Sequence, residues 1–288
     1  MASTMENANR WNVRDLVTVA LILVASLAVR ALFLDAYRFE GMGRDTAGYL
    51  NVAQNIAGGL GWVNHSVRFL FLLPEAIPHP DSYWSPLFPL TVAGVFKVLG
   101  PGFGAARVVP FAFGLLVPIL VYRLARDTAQ SWRAGLAAGV IAAFHPTLVM
   151  WSLRVQPEIV SIFFVTLTLW LLVAEGVPRK PLLLGASLGL SYLCKYQNLV
   201  LWAPVLLFYA CHRPRRETLR EVAWAVAVFA VVALPWWIRN AIVFGDPFHT
   251  AVRHMMLSYY PELGGEGRMS AALEPPPAAI PYLLSHPL

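Results

Sequence analysis

The sequence predicts an all-α protein, a polytopic bundle of about seven transmembrane helices with amphipathic juxtamembrane helices in a large first outer loop. Three observations predict it. Of the 288 residues, 58% are hydrophobic and only 13% are charged, against about 25% charged in an ordinary soluble domain. The apolar stretches are long and unalternating, which marks helices rather than barrel strands. The basic residues sit at the ends of those stretches, as topology signals do. Mean hydropathy is +0.58.

The first apolar run, Leu16–Leu34, follows Arg10 and Arg14. It is long enough to cross a hydrocarbon core of ~30 Å. No small-x-small site follows it, so it reads as an anchor rather than a cleaved leader. A polar loop, Asp35–Ser85, comes next, then Pro86–Leu99, Phe103–Leu124, Ala134–Ser152, Ile159–Val173, Leu182–Cys194, Leu199–Cys211 and Val222–Ile238. Three short basic loops are expected in the cytoplasm with the N-terminus: Arg123/Arg126/Arg133, Arg179/Lys180, and Arg213/Arg215/Arg216/Arg220. That sidedness holds only if Pro86–Leu99 lies on the outer surface instead of crossing. At about 21 Å of helix it is short for a span. Seven crossings remain.

The chain thus reads as one transmembrane domain, 1–288. Residues 1–15 are cytoplasmic, 35–102 form the first outer loop, 103–238 hold the further spans, and 239–288 make an incomplete outer loop. The expected location is the cell membrane, multi-pass, with the working face outside. The net charge of +6 accompanies no basic face or RNA-binding motif, so the partner expected for it is the anionic membrane surface and not nucleic acid. Cys194 and Cys211 cannot build a disulfide framework or a zinc site and read as small core residues.

Four polar features fall together on the outer side: the loop Asp35–Ser85, the turn Arg154–Glu158, the turn at Lys195, and Arg239 with the segment after it. Within the loop, Tyr49, Val52, Ala53, Ile56 and Leu60 share one helical face, which predicts an amphipathic helix lying on the membrane and stopped by Gly58 and Gly59. Asp45 starts it. A carboxylate there caps the helix or serves as a general base at the membrane surface, and one residue can do both.

His65, His79 and Asp81 share the loop without a spacing that favours a metal. His145-Pro146 predicts a kink mid-span with a packed imidazole, although an ionisable group at that depth is a functional candidate by default. Trp236 and Trp237 read as interfacial belt anchors. No P-loop, dinucleotide fingerprint or one-sided Ser-His-Asp set is present.

An Asp opening a helix of the form D-x-x-x-Y-x-x-x-A-x-x-x-x-x-G just after a first transmembrane helix resembles the first outer loop of the GT-C glycosyltransferases. The resemblance is nearest to the Rgt-like, aminoarabinose-transferase and protein O-mannosyltransferase group. Ser85-Pro86-Leu87-Phe88-Pro89-Leu90 resembles its P-P-L-Y-P-L segment, and Gly104-Ala105-Ala106-Arg107 the start of its next helix. Pro157-Glu158 resembles its second-loop acid, and Pro235-Trp236-Trp237-Ile238-Arg239-Asn240 its P-W-x-x-R-N signature.

The resemblance implies inverting sugar transfer from a polyprenyl-phosphate carrier to a lipid, glycan or protein acceptor. Asp45 would be the base and Glu158 a second acid, holding acceptor or a divalent ion. Arg239, then Lys195 and Arg44, would stabilise the leaving phosphate. Tyr49, His79 and Asp81 would contact the acceptor or shape the loop. No protein-built metal site and no cofactor are expected, with a divalent cation at Glu158 left open. Two departures stand out: Thr46 follows the Asp where the family often has Glu, and Ser85 replaces a lysine. Pro281–Leu288 looks like the approach to a further helix. The competing classes are a transporter or flippase-like protein, which calls for intramembrane charges and inverted repeats, and a catalytically inactive fragment.

Overall fold

The computed structural model describes residues 12–37, 43–66, 76–212 and 214–251. The segment 252–288, with the expected further helix at Pro281–Leu288, lies outside the described residues, as does Arg213.

The architecture is helical. The helices are α1 (Val13–Leu32), α2 (Arg44–Ala57), α3 (Leu87–Leu99), α4 (Phe103–Ala129), α5 (Trp132–Phe144), α6 (Pro146–Leu153), α7 (Glu158–Val173), α8 (Lys180–Cys194), α9 (Trp202–His212) and α10 (Arg215–Phe244). A 3-10 turn, Tyr196–Leu201, leads into α9. The described strand structure is one two-residue hairpin, β1 (Val63–Asn64) on β2 (His79–Pro80), antiparallel with Val63 opposite Pro80.

α1, α4 and α10 are each long and apolar enough to cross a membrane. α5 and α6 together pass the same test as a span bent by 53° at His145–Pro146, where proline removes an amide donor and disfavours helical geometry before it. The expected kink is present, but the His145 imidazole is exposed rather than packed.

α1 shows the inside-out polarity of a lipid-facing helix. Its buried stripe is Asp15, Thr18, Ile22, Ser26 and Arg30, while Leu16, Val17, Leu21 and Val24 are exposed. Polar groups therefore seek partners inside the bundle, where hydrocarbon offers none.

Polar contacts define two ends of the bundle. At one, Asp15 near the start of α1 bonds Arg126 of α4 at 3.1 Å and accepts from the Tyr122 hydroxyl. There Trp132 of α5 donates to Thr18 (2.9 Å) and Trp170 of α7 to Asp127 of α4 (2.8 Å). Lys180, opening α8, caps the α7 carbonyls of Leu172 and Ala174. At the other end, Arg107 of α4 donates to Leu34 beyond α1 and to Leu153 of α6. Thr46 of α2 donates to Val155 in the α6–α7 turn, and Cys194 of α8 to Pro157. Helices α1, α4, α5–α6, α7 and α8 thus alternate in direction.

α3 begins beside Tyr49 through Phe88 and ends three residues before α4, close to Leu34. Both its ends belong to the same end of the bundle. The amphipathic helix α2 turns its apolar face onto neighbouring helices. Tyr49, Val52 and Ala53 are buried against α3 and the α7 start, with Phe88, Val92, Ile159 and Cys194 in the same core. Gly48 makes the approach close, since a Cβ there would stand 2.5 Å from the Trp84 ring. Leu60 falls beyond the helix and is exposed. On the opposite flank α8 packs on α10 through Gly185, whose Cβ would lie 2.3 Å from the Ala225 carbonyl oxygen. Of the two cysteines, Cys194 is the core residue expected, whereas Cys211 is exposed.

Candidate active site

The end of the bundle that carries Arg107, Thr46 and Val155 also gathers most of the predicted site residues. α2 is capped by the Gly43 backbone, so Asp45 is its second residue rather than the cap, and it is exposed. Its position in the first turn still sets the carboxylate against the positive end of the helix dipole. Arg44 opens the helix, and its side chain lies outside the described residues.

One turn on, Tyr49 is buried, with its ring 4.0 Å from Trp84 and 5.2 Å from Phe88. Burial pushes its phenol well above the usual range, and Glu158, Cys194 and Asp45 push the same way. Tyr49 therefore stays neutral.

Glu158 opens α7 with no side-chain cap. Its Oε1 accepts from Lys195 Nζ at 2.8 Å, and both side chains are three-quarters buried. Its Oε2 is buried and has no hydrogen-bond partner among the described residues. Lys195 is the turn residue between α8 and the 3-10 segment, held because Asn198 ties that turn to Ser191 of α8 and Ser161 of α7.

The hairpin loop supplies a second group. Asp81 is 3% exposed and accepts from Asn64 Nδ2 (3.1 Å) and the Tyr83 and Trp84 amides (3.2 and 3.0 Å). Burial raises its pKa above the ordinary 3.8, against the lowering effect of those donors and of His79 and Arg239. Its role is to fold the loop. His79 is likewise engaged, with Ser66 and Pro80 carbonyls at its ring nitrogens, and His65 contacts Asn55. Among the described residues no three His, Cys, Asp or Glu side chains are grouped to hold a metal ion.

Arg239 does not end its helix, as expected, because α10 runs on to Phe244. Its guanidinium lies 4.9 Å from the ring centroids of both Trp236 and Phe244 and donates to the Trp62 carbonyl (3.3 Å) and Asn240 Oδ1 (2.9 Å). The loop containing Trp62 is thereby fastened to the last helix. Trp236 and Trp237 are not belt anchors: Trp236 packs edge-on to Trp62 at 4.9 Å, and Trp237 packs on Tyr192 and Phe229.

Against the sequence expectation, Tyr49, Glu158 and Lys195 come together with Asp45 within electrostatic reach. Arg239, Asp81 and His79 form an adjoining group. Trp84 links the two, touching Tyr49 through its ring and Asp81 through its amide. Tyr196 and Trp62 escaped sequence reasoning. The polar interruption Lys195-Tyr196-Gln197-Asn198 in an apolar run was the available signal for Tyr196, whereas Trp62 carried none.

A family model described as dolichyl-phosphate-mannose-protein mannosyltransferase matches residues 79–238, more than half of the 288-residue chain. The chain belongs to that family. The mannosyltransferase-family match spans His79, Asp81, Glu158 and Lys195, while Asp45 and Tyr49 precede it and Arg239 follows its last residue. No curated protein and no solved structure matched the chain. Membership in this mannosyltransferase family, with its apolar helices, makes the protein a membrane glycosyltransferase of the GT-C type.

Proposed function

We propose that the protein transfers a sugar from a polyprenyl-phosphate carrier to an acceptor on the non-cytoplasmic face of the membrane. The observation that carries the reading is the Lys195–Glu158 pair beside Tyr49, with Asp45 in electrostatic reach, in a chain whose family match covers Glu158 and Lys195. The acceptor oxygen or nitrogen attacks the anomeric carbon from the face opposite the lipid phosphate. Its proton passes to Asp45, the sugar–phosphate C–O bond breaks, and the lipid phosphate leaves with the electron pair. Lys195 and Arg239 stabilise the charge that develops on that phosphate. Glu158 keeps Lys195 oriented and orders the acceptor through its second oxygen. A protein acceptor suits the family description, and no cofactor enters the chemistry.

Seven crossings fit this scheme: α1, α4, α5–α6, α7, α8, α9 and α10, with α3 on the outer surface. The alternating polar contacts at the two ends of the bundle support five of them, α1, α4, α5–α6, α7 and α8. So does the positive-inside rule, since Arg126, Arg179 and Lys180 all fall at the end opposite Lys195. The sequence shows no inverted repeat that would speak for transport.

Asp45→Asn tests the base. In proteoliposomes supplied with labelled polyprenyl-phosphate sugar, transfer should fall by two orders of magnitude or more, with membrane insertion and thermal stability unchanged. Transfer at the parent rate would remove Asp45 from the chemistry.

A further inference from the structure

Around Arg239 the structure holds buried hydrogen-bond donors that lack a well-formed partner among the described residues. The indole nitrogens of Trp62 and Trp236 are buried and have no hydrogen-bond partner among the described residues. Trp236 is only 8% exposed, so solvent does not satisfy it. The Tyr196 hydroxyl, buried as well, stands beside Trp236 and Ser85 without a well-formed hydrogen bond to either. A buried unsatisfied donor is costly, and three within one cluster are not a packing accident.

The three belong to one place. The Trp62 and Trp236 rings meet edge to face at 4.9 Å, Arg239 lies over Trp236 at 4.9 Å, and the Trp62 carbonyl holds the guanidinium. They come from three separated parts of the chain: the loop before β1, the turn after α8, and the last helix. Two indoles can only donate, and a phenol donates readily. A set made of donors and one cation calls for an oxyanion, and the carboxylate nearest to it, Asp81, is already saturated by Asn64 and two amides.

We infer that Trp62, Trp236 and Tyr196 form a neutral donor cradle that, with Arg239, holds the phosphate of the lipid-linked sugar. This deepens the proposed function and rests on its reading that the donor is a lipid phosphate. Neutral donors suit a leaving group at a membrane surface. They share the charge without the desolvation cost of further cations, and indoles tolerate the water–lipid boundary. They act as positioning residues, and the bond-breaking event stays with the anomeric carbon.

Binding of radiolabelled farnesyl phosphate to the full chain in detergent, with farnesol as the uncharged control, separates the cases. The parent should bind the phosphate at least tenfold more tightly than the alcohol. Tyr196→Phe, which removes one oxygen, and Trp236→Phe should each weaken phosphate binding by about 5- to 30-fold and leave farnesol binding unchanged. Variants that bind the phosphate like the parent, while Arg239→Ala loses it, would overturn the cradle and leave the donor reading intact. Equal losses for phosphate and alcohol would reduce the aromatic residues to packing and also overturn the cradle. A parent that does not distinguish phosphate from alcohol would defeat the donor reading along with it. If Trp236→Phe fails to fold, Tyr196→Phe decides alone.

Discussion

At the scale of single residues, the site depends on groups whose surroundings oppose their ordinary chemistry. Asp81 is the plainest. Burial raises its pKa above 3.8, so the folded protein holds its proton more tightly than the unfolded chain does. The sign follows from linkage: stability tied to this group is fully present below 3.8 and is lost as pH rises from there through the raised value. Asp81→Asn, neutral throughout, should therefore flatten the fall in melting temperature that the parent shows above pH 4. An unchanged pH profile would mean that the carboxylate is as well solvated folded as unfolded. The sequence marked Asp81, Lys195 and Glu158 as candidates because charges are scarce in so apolar a chain. It could not pair them, since Lys195 and Glu158 are 37 positions apart and their meeting depends on how α7 and α8 pack.

At the scale of elements, periodicity was a reliable guide to where helices lie and a poor guide to what their faces touch. The face formed by Tyr49, Val52 and Ala53 was legible, yet its partner is α3 and not lipid, because an apolar stripe fits either. The break at His145–Pro146 was readable from proline chemistry alone, whereas the depth of the imidazole depended on the neighbouring helices. Close approach between helices is carried by small residues, as membrane interiors favour. Gly185, whose Cβ would collide with the Ala225 backbone, is the critical case for the α8–α10 contact. Gly185→Leu should cost about 1–3 kcal/mol by overpacking, read as a lower melting temperature in detergent together with weakened transfer. Gly94, with nothing within 4 Å of its built Cβ, is the control: Gly94→Ala should be neutral or slightly stabilising. A Gly185→Leu protein as stable as the Gly94→Ala control would show that α8 and α10 can separate without harm.

At the scale of the whole molecule, the helical fold class was readable because hydrocarbon leaves the backbone so few options. The order of polar and apolar stretches then fixed which features share an end. Crossing by crossing, the count is less direct, since α7 and α8, at 16 and 15 residues, are shorter than a lone helix needs to cross a bilayer. Cysteine mapping measures the sidedness. On a Cys211→Ser background, Gln54→Cys, exposed on α2, should react in intact cells with a reagent that does not cross the membrane. Arg220→Cys, exposed near the start of α10, should react only after the membrane is opened. Reaction of both from the same side would break the seven-crossing arrangement.

The hydrogen bond from Arg239 to the Trp62 carbonyl spans 177 positions, and the amide of Ala251 reaches the Ser82 carbonyl by a similar detour. During synthesis the first loop is released across the membrane long before the last helix leaves the ribosome. Until α10 arrives, that loop lacks its tether and the arginine that holds it. A ribosome-bound intermediate halted before residue 239 would therefore be inserted but chemically silent, and activity would switch on at the close of translation rather than build up with each helix added.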